Sequence, residues 1–245
     1  MVASDRLPPP RRGEWRSIIR ERAQSYEDYV LEGVNRKSEA RSRLVIVPLG
    51  GLEERAAALL SLMRDYGAAF FGLEARIAGG LPLPGAAHVP QRDQHNSSMI
   101  LDELAGRTEA GALVTLAVTD ADLFSRGKRY VFGEGNLERR VGLCSLARLA
   151  TTDASLFRRR ALKLMSHEAG HVLSLPHCVR RPCVMQGANT LEESDGQPLE
   201  PCAEDFRKIR WNTGVDPARR ASGLRAIYET LGWSAESGFA GTDLG

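Results

Sequence analysis

The segment HEAGHVLSLPHC, residues 167–178, holds three of the chain's five histidines within eleven positions and places a proline between the second and the third. No other feature constrains the local fold as strongly. His167 and His171 are four residues apart, so on a helix their Cβ atoms lie roughly 6 Å apart on one face, close enough to share an ion at about 2.0–2.1 Å. His177 cannot join them on a continued helix, where it would lie about 9 Å further along the axis than His171. Pro176 settles where the chain must go. It pushes Leu175 out of helical geometry and cannot prolong the hydrogen-bond ladder, so the chain is expected to leave the helix and turn back. Three imidazoles leave a fourth position open, the arrangement a hydrolytic zinc site needs. Glu168 follows the first ligand by one residue and is turned about 100° around the helix, where its carboxylate can meet a water on the metal and act as general base. The bland alternative is a helix end carrying histidines for its dipole, beside an unrelated solvated Glu168.

Composition sets the frame around this motif. A chain of 245 residues without internal repeats, 42% hydrophobic and 26% charged, reads as one soluble globular domain with room for two lobes. Its net charge of +2 implies no single-sign field, so nucleic acid is not an expected partner. The start, MVASDRLPPPRRGEWRS, lacks the apolar core of a signal peptide, and no apolar run is long enough to span a bilayer; a cytoplasmic protein without a membrane partner is expected. The four cysteines could form two disulfides by count. A reducing compartment and the clustering of Cys178, Cys183 and Cys202 near the histidines favour metal ligation instead. Cys144, in the apolar run RVGLCSLARL, reads as a small core residue. His88 and His95 have no ligand spacing and read as surface residues.

Along the chain, residues 1–13 are rich in Pro and Arg and read as loose. From Trp15 to Val30, apolar positions recur every three or four residues, which predicts an amphipathic helix packed on the main domain or shading part of its cleft. RLVIVPL (43–49) predicts a buried strand, followed by a helix across EERAAALLSLMRDY. GALVTLAVT (111–119), KRYVFG (128–133) and RVGLCSLARL (140–149) are further strand candidates, separated by turn-rich stretches such as GEGN. A helix is predicted from Asp153, its cap, to about Val172, with Phe157, Ala161, Leu164 and Met165 as its apolar stripe. Another begins after Asp216 with Pro217 at its first position and stops before Gly232, burying Leu224, Ile227, Tyr228 and Leu231. The tail after Trp233, rich in Gly and Ser, reads as mobile.

Downstream of the histidines the order is Cys178, then Cys183, then Met185 in CVMQGAN. HExxH, a third histidine, a loop and a methionine make the pattern of a metzincin, in which a methionine-bearing turn underlies the metal. With its intercalated cysteines, HEAGHVLSLPHCVRRPCVMQGANTLEESDGQPLEPCAED resembles the archaemetzincins, whose motif runs HExxHxxGxxHCx4CxM and closes with CxxC. The resemblance extends through RDQHNSSMILDEL, LAVTDADLFSRGKRYVFGEGN and RVGLCSLARL, from about Leu44 to about Lys208. It implies an α/β (α+β) metzincin-like fold: a twisted mixed sheet with flanking helices, an active-site helix and a small irregular carboxyl-terminal lobe. It also implies a zinc-dependent metallopeptidase acting on a peptide or protein, aminopeptidase-like as some family members are described, a catalytic zinc on His167, His171 and His177, and a second, structural zinc on the cysteines. The expected organisation is an amino-terminal extension (1–40), a catalytic domain (41–233, its lobes meeting near 177) and a flexible tail (234–245).

Two positions depart from the family pattern. Ser174 replaces the glycine after the second histidine; if the turn needs a positive φ, serine costs on the order of 1–2 kcal/mol there. Asp205 stands where the last cysteine should be, and could complete a Cys3Asp site with Cys178, Cys183 and Cys202 or merely cap the helix DFRKIRW. Met185 has a bland reading too, as a core gap filler. Two functions follow. One is a working peptidase in which zinc activates water and Glu168 takes its proton; the other is a metal-stabilised module that binds peptides without cutting them. In metzincins an edge strand receives the substrate, and KRYVFG holds that place, which makes Tyr130, Val131, Phe132 and Gly133 the expected contacts.

Overall fold

The computed structural model of the chain describes residues 6–233; the expected tail, 234–245, lies outside them. Two short helices, α1 (Trp15–Ile18) and α2 (Tyr26–Leu31), precede β1 (Arg43–Pro48), α3 (Leu52–Phe71) and β2 (Glu74–Ile77). A hairpin of β3 (His88–Val89) and β4 (Gln94–Asn96) leads into α4 (Ser97–Ala105) and β5 (Ala112–Thr119). Then come β6 (Leu123–Phe124), β7 (Gly133–Asn136), β8 (Val141–Ser145) and the long α5 (Ala154–Val172), followed by α6 (Leu191–Asp195), α7 (Ala203–Thr213) and α8 (Pro217–Thr230).

The main sheet has the order β2-β1-β5-β8-β7, with the first four strands parallel and β7 antiparallel at the edge. The sequences of β1 and β5 are continuous apolar runs because both faces are covered. Leu44 and Ile46 of β1 face a core shared with α3, α5, α7 and α8, while Val45 and Val47 face a smaller core with α4. Cys144 is buried in the larger core, as its surroundings predicted. A second sheet, β3-β4-β6, places His88 and His95 face to face, half-buried, with ring centroids 4.8 Å apart.

Three sequence expectations are corrected. The segment from Trp15 to Val30 is two short helices joined by extended chain, not one amphipathic helix. Its periodicity misleads because the apolar residues bury in different places: Tyr29 enters the main core, Trp15 rests on the backbone at Gly187, and Ile18 stays 62% exposed. The edge strand is GEGN, which composition marked as a turn, while KRYVFG is strand only at its last residue, Gly133. The reason is close packing against α5. A Cβ on Gly133 would stand 2.5 Å from Glu168 Oε1, and one on Gly135 2.6 Å from His171 Cβ, so only glycine lets this strand lie on the helix. RVGLCSLARL is a strand only over Val141–Ser145, after which a 3-10 turn covers Ala147–Leu149.

α5 begins where its sequence says. Asp153 accepts from the N–H groups of Ser155 and Leu156, and Ala161 and Met165 turn into the core. Its far end is a Schellman turn: the N–H of Ser174 donates to His171 O at 2.9 Å and that of Leu175 to Gly170 O at 3.0 Å. Such a turn requires left-handed backbone at Ser174, whose φ is 75°. Serine is tolerated here because its hydroxyl has a partner: Ser174 Oγ accepts from the N–H of Asn35 at 3.0 Å, and both residues are buried. Ser174→Ala keeps the backbone strain and leaves the Asn35 N–H without an acceptor, so it should lower stability by about 1–3 kcal/mol. Ser174→Gly loses the same hydrogen bond but relieves about 1 kcal/mol or more of left-handed strain, and should cost measurably less. Chemical denaturation of the two variants side by side checks the order.

Candidate metal centre and cleft

The turn carries His177 back to the two helical histidines. One ligand atom from each of His167, His171 and His177 falls within a group whose members all lie within 4.8 Å of one another. The Nε2 atoms of His167 and His171 are 3.1 Å apart. Two nitrogens bound tetrahedrally to one zinc at about 2.0–2.1 Å would be about 3.3 Å apart, so the pair fits such an ion with little movement.

The second nitrogen of each ring is already engaged. His167 Nδ1 bonds to Val184 O at 2.8 Å, His171 Nδ1 to Leu175 O at 2.7 Å, and His177 Nδ1 to Glu21 Oε1 at 2.9 Å. A carbonyl or carboxylate oxygen only accepts, so each Nδ1 carries the proton and each Nε2 keeps its lone pair. Burial, reinforced by the neighbouring histidines, pushes the pKa of His167 well down and that of His171 to about 4. Both rings are therefore neutral near pH 7, the form in which imidazole ligates.

Glu168 is buried on the neighbouring face of α5. Desolvation, and then the charge of Glu134 on β7, raise its pKa to about 8 against the opposing pull of Lys128 and the Gly135 N–H. Met185 lies beneath the helix, where a side chain on Gly170 would collide with its sulfur. The turn it sits in also orients a candidate ligand: the carbonyl that holds His167 belongs to Val184, and Cys178 N–H donates to Met185 O at 2.8 Å.

Beside the histidines, Cys178, Cys183, Cys202 and Asp205 form a second group whose ligand atoms lie within 4.8 Å of one another. All four cysteines are free, and the Cys178 and Cys202 sulfurs are 3.9 Å apart, which removes the disulfide alternative. Cys183 Sγ accepts the N–H groups of Met185 and Cys202, and hydrogen bonds from Cys183 and Cys202 draw the Cys178 thiol toward the thiolate. Asp205 is not a helix cap; α7 begins two residues earlier at Ala203, so Asp205 lies in its first turn and the cap residue is Cys202. Its Oδ2 lies 3.2 Å from Cys183 Sγ while its Oδ1 accepts from Lys208 Nζ at 2.9 Å. Three sulfurs and one carboxylate oxygen suit zinc.

The histidines open on a cleft of about 1080 Å³. Tyr130, Val131, Phe132 and Gly133, the expected substrate contacts, all line it. Only Gly133 belongs to the free edge, since Val131 N–H already donates to Leu123 O and Phe132 O accepts from Ser145 N–H. Sequence reasoning missed Glu134, which sits in the quoted GEGN, and Glu21, an isolated carboxylate in an arginine-rich stretch that carries no motif.

Comparison with known proteins bears on this centre. The sequence profile of Peptidase family M54 matches residues 99–210, a span that includes both ligand groups. The archaemetzincin of Archaeoglobus fulgidus is 40% identical over 120 residues, which cover 49% of this chain and 71% of the relative. That of Pyrococcus furiosus is 31% identical over 183 residues, 71% of this chain and 95% of the relative. Two solved archaemetzincins share the fold. The Archaeoglobus fulgidus structure, a malonate complex, has a TM-score of 0.60 at 31% identity over 68% of this chain and 99% of its own. The Methanopyrus kandleri structure has a TM-score of 0.65 at 26% identity over 73% of this chain and 99% of its own. Likeness in sequence over 95% of the Pyrococcus furiosus relative, and in fold over 99% of the two solved structures, means that the chain belongs to the archaemetzincin family of zinc-dependent metallopeptidases.

Proposed function

We propose that this protein hydrolyses peptide bonds at a zinc held by His167, His171 and His177, with Glu168 as the general base. The observation that carries the reading is the convergence of three Nε2 lone pairs, each fixed by a bond at Nδ1, beside a buried carboxyl on the same helix. When bound, zinc supplies a Lewis acid that polarises the scissile carbonyl and lowers the pKa of water. Glu168, as the carboxylate, takes the proton of the attacking water and passes it to the leaving amine. The free edge of β7 receives the substrate backbone as an added strand, and Gly133 and Gly135 hold that edge against the helix bearing the base. Tyr130, Val131 and Phe132 contact the substrate from the adjoining wall.

The alternative is a peptide-binding module without turnover, in which Ser174 and Asp205, the two departures from the family motif, would be signs of drift. Both have specific partners here, the Asn35 N–H and the Lys208 ammonium, which favours a maintained site. Cys178, Cys183, Cys202 and Asp205 hold a second zinc in this reading, tying the loop after His177 to α7. It leaves Asp205 Oδ2 for the ion while Oδ1 stays on Lys208.

Three experiments test these assignments. Glu168→Ala should retain metal yet lose hydrolysis of a peptide library by about 10²-fold or more; His177→Ala should lose the metal of that site. Unchanged turnover in the first, or undiminished binding in the second, sinks the corresponding role. Elemental analysis of the parent should find two zinc ions per chain, and Asp205→Ala should lower that number while Asp205→Cys keeps it. An Asp205→Ala protein that holds as much zinc as the parent would remove aspartate from the ligand set.

A further inference from the structure

The three imidazoles are not oriented alike. His167 and His171 sit on α5, and their Nδ1 partners, Val184 O and Leu175 O, come from the chain that follows that helix. His177 is off the helix, and its partner Glu21 Oε1 comes from 156 residues away in the extended chain between α1 and α2. The same segment places Trp15 against the His177 ring, with centroids 4.4 Å apart and planes tilted by 48°. One contact restrains the ring's face and the other its rotation. The segment is itself anchored on both sides of Glu21. Upstream, the Trp15 N–H donates to Glu193 Oε1 at 2.8 Å; downstream, Lys208 Nζ donates to Gln24 O at 2.8 Å and Tyr29 OH to Leu173 O at 2.6 Å.

We infer that Glu21 is a positioning residue of the metal site: by accepting the Nδ1–H of His177 it fixes the tautomer and ring orientation that direct Nε2 toward the ion. The amino-terminal arm is thereby part of the metal centre and not only a covering. The physical basis is general. A metal-bound imidazole gains ordering and basicity from an acceptor on its other nitrogen, and losing that acceptor costs about 10–100-fold in metal affinity. His177 depends on it most, because no helix backbone limits its approach. Glu21 and His177 are both partly exposed, so the hydrogen bond and its geometry matter more than net charge.

The inference rests on the three-histidine site proposed above. Zinc affinity of the full chain is measured by chelator competition. Cobalt-substituted spectra accompany it, in which the imidazole site's d–d bands stand apart from thiolate charge transfer at the cysteines. Glu21→Ala should weaken metal binding at the trio about 10–100-fold and shift its cobalt bands, leaving the cysteine signal in place. Glu21→Gln, whose amide oxygen still accepts, should stay within a few-fold of the parent. Glu27→Ala, on the same arm but at the surface beside Arg207, should bind as the parent does. Parent-like affinity in Glu21→Ala overturns the inference, as does a loss in Glu21→Gln or in Glu27→Ala as large as that in Glu21→Ala. A parent that binds no metal through the trio would sink the site itself, a result distinct from binding that ignores Glu21.

Discussion

On the three-histidine reading, a helix that carries two ligands of one ion must end before the third, and everything else in this centre hangs on how α5 ends. The Schellman turn reverses the chain within three residues, and Leu175 has two tasks in it. Its N–H closes the helix onto Gly170 O, and its carbonyl holds His171 Nδ1 at 2.7 Å. Stopping the helix and orienting His171 are thus one event. The returning chain then passes under α5, where Val184 O fixes His167 and Met185 packs against Gly170. A different stop would displace His177, the turn below it and the cysteine cluster together.

Legibility in the sequence follows the range of the interactions involved. The start of α5 at Asp153, its end before Pro176 and the limits of α8 were readable because caps and proline act within a few residues. β1 and β5 were readable because burial on both faces leaves only apolar side chains. The amino-terminal arm was not, since apolar residues at helical spacing can serve several separate contacts. The edge strand was misplaced for a related reason: glycine is a poor strand former by propensity, and here the demand of α5 for close approach overrides propensity.

The two departures from the family motif share this long-range character. Ser174 looks like a lost glycine until Asn35, 139 residues away, is seen donating to its hydroxyl. Asn35 also donates through its side chain to Leu113 O and Val172 O, joining the arm to β5 and the end of α5. Asp205 looks like a lost cysteine, yet Lys208 one turn along α7 balances its charge, and that ammonium also donates to Gln24 O of the arm. An unpaired carboxylate in so buried a place would be costly; the pairing lets it remain beside three sulfurs. Both substitutions are thus embedded in contacts with the segment that also supplies Glu21.

The edge strand joins recognition to chemistry on the peptidase reading. A peptide added to β7 would lie about 4.8 Å beyond it, one strand spacing out, with its backbone carbonyls directed by the ladder. How near those carbonyls come to the histidines then depends on how near β7 itself lies to α5. Any side chain larger than hydrogen at Gly133 or Gly135 would meet Glu168 or His171 and push the strand away. Displacing the edge by even one ångström would move the scissile carbonyl by a similar distance, enough to cost on the order of 10²-fold in rate. The absence of side chains at Gly133 and Gly135 is therefore a positioning device on this reading: it sets the distance between the strand that would hold the substrate and the helix that bears Glu168, His167 and His171.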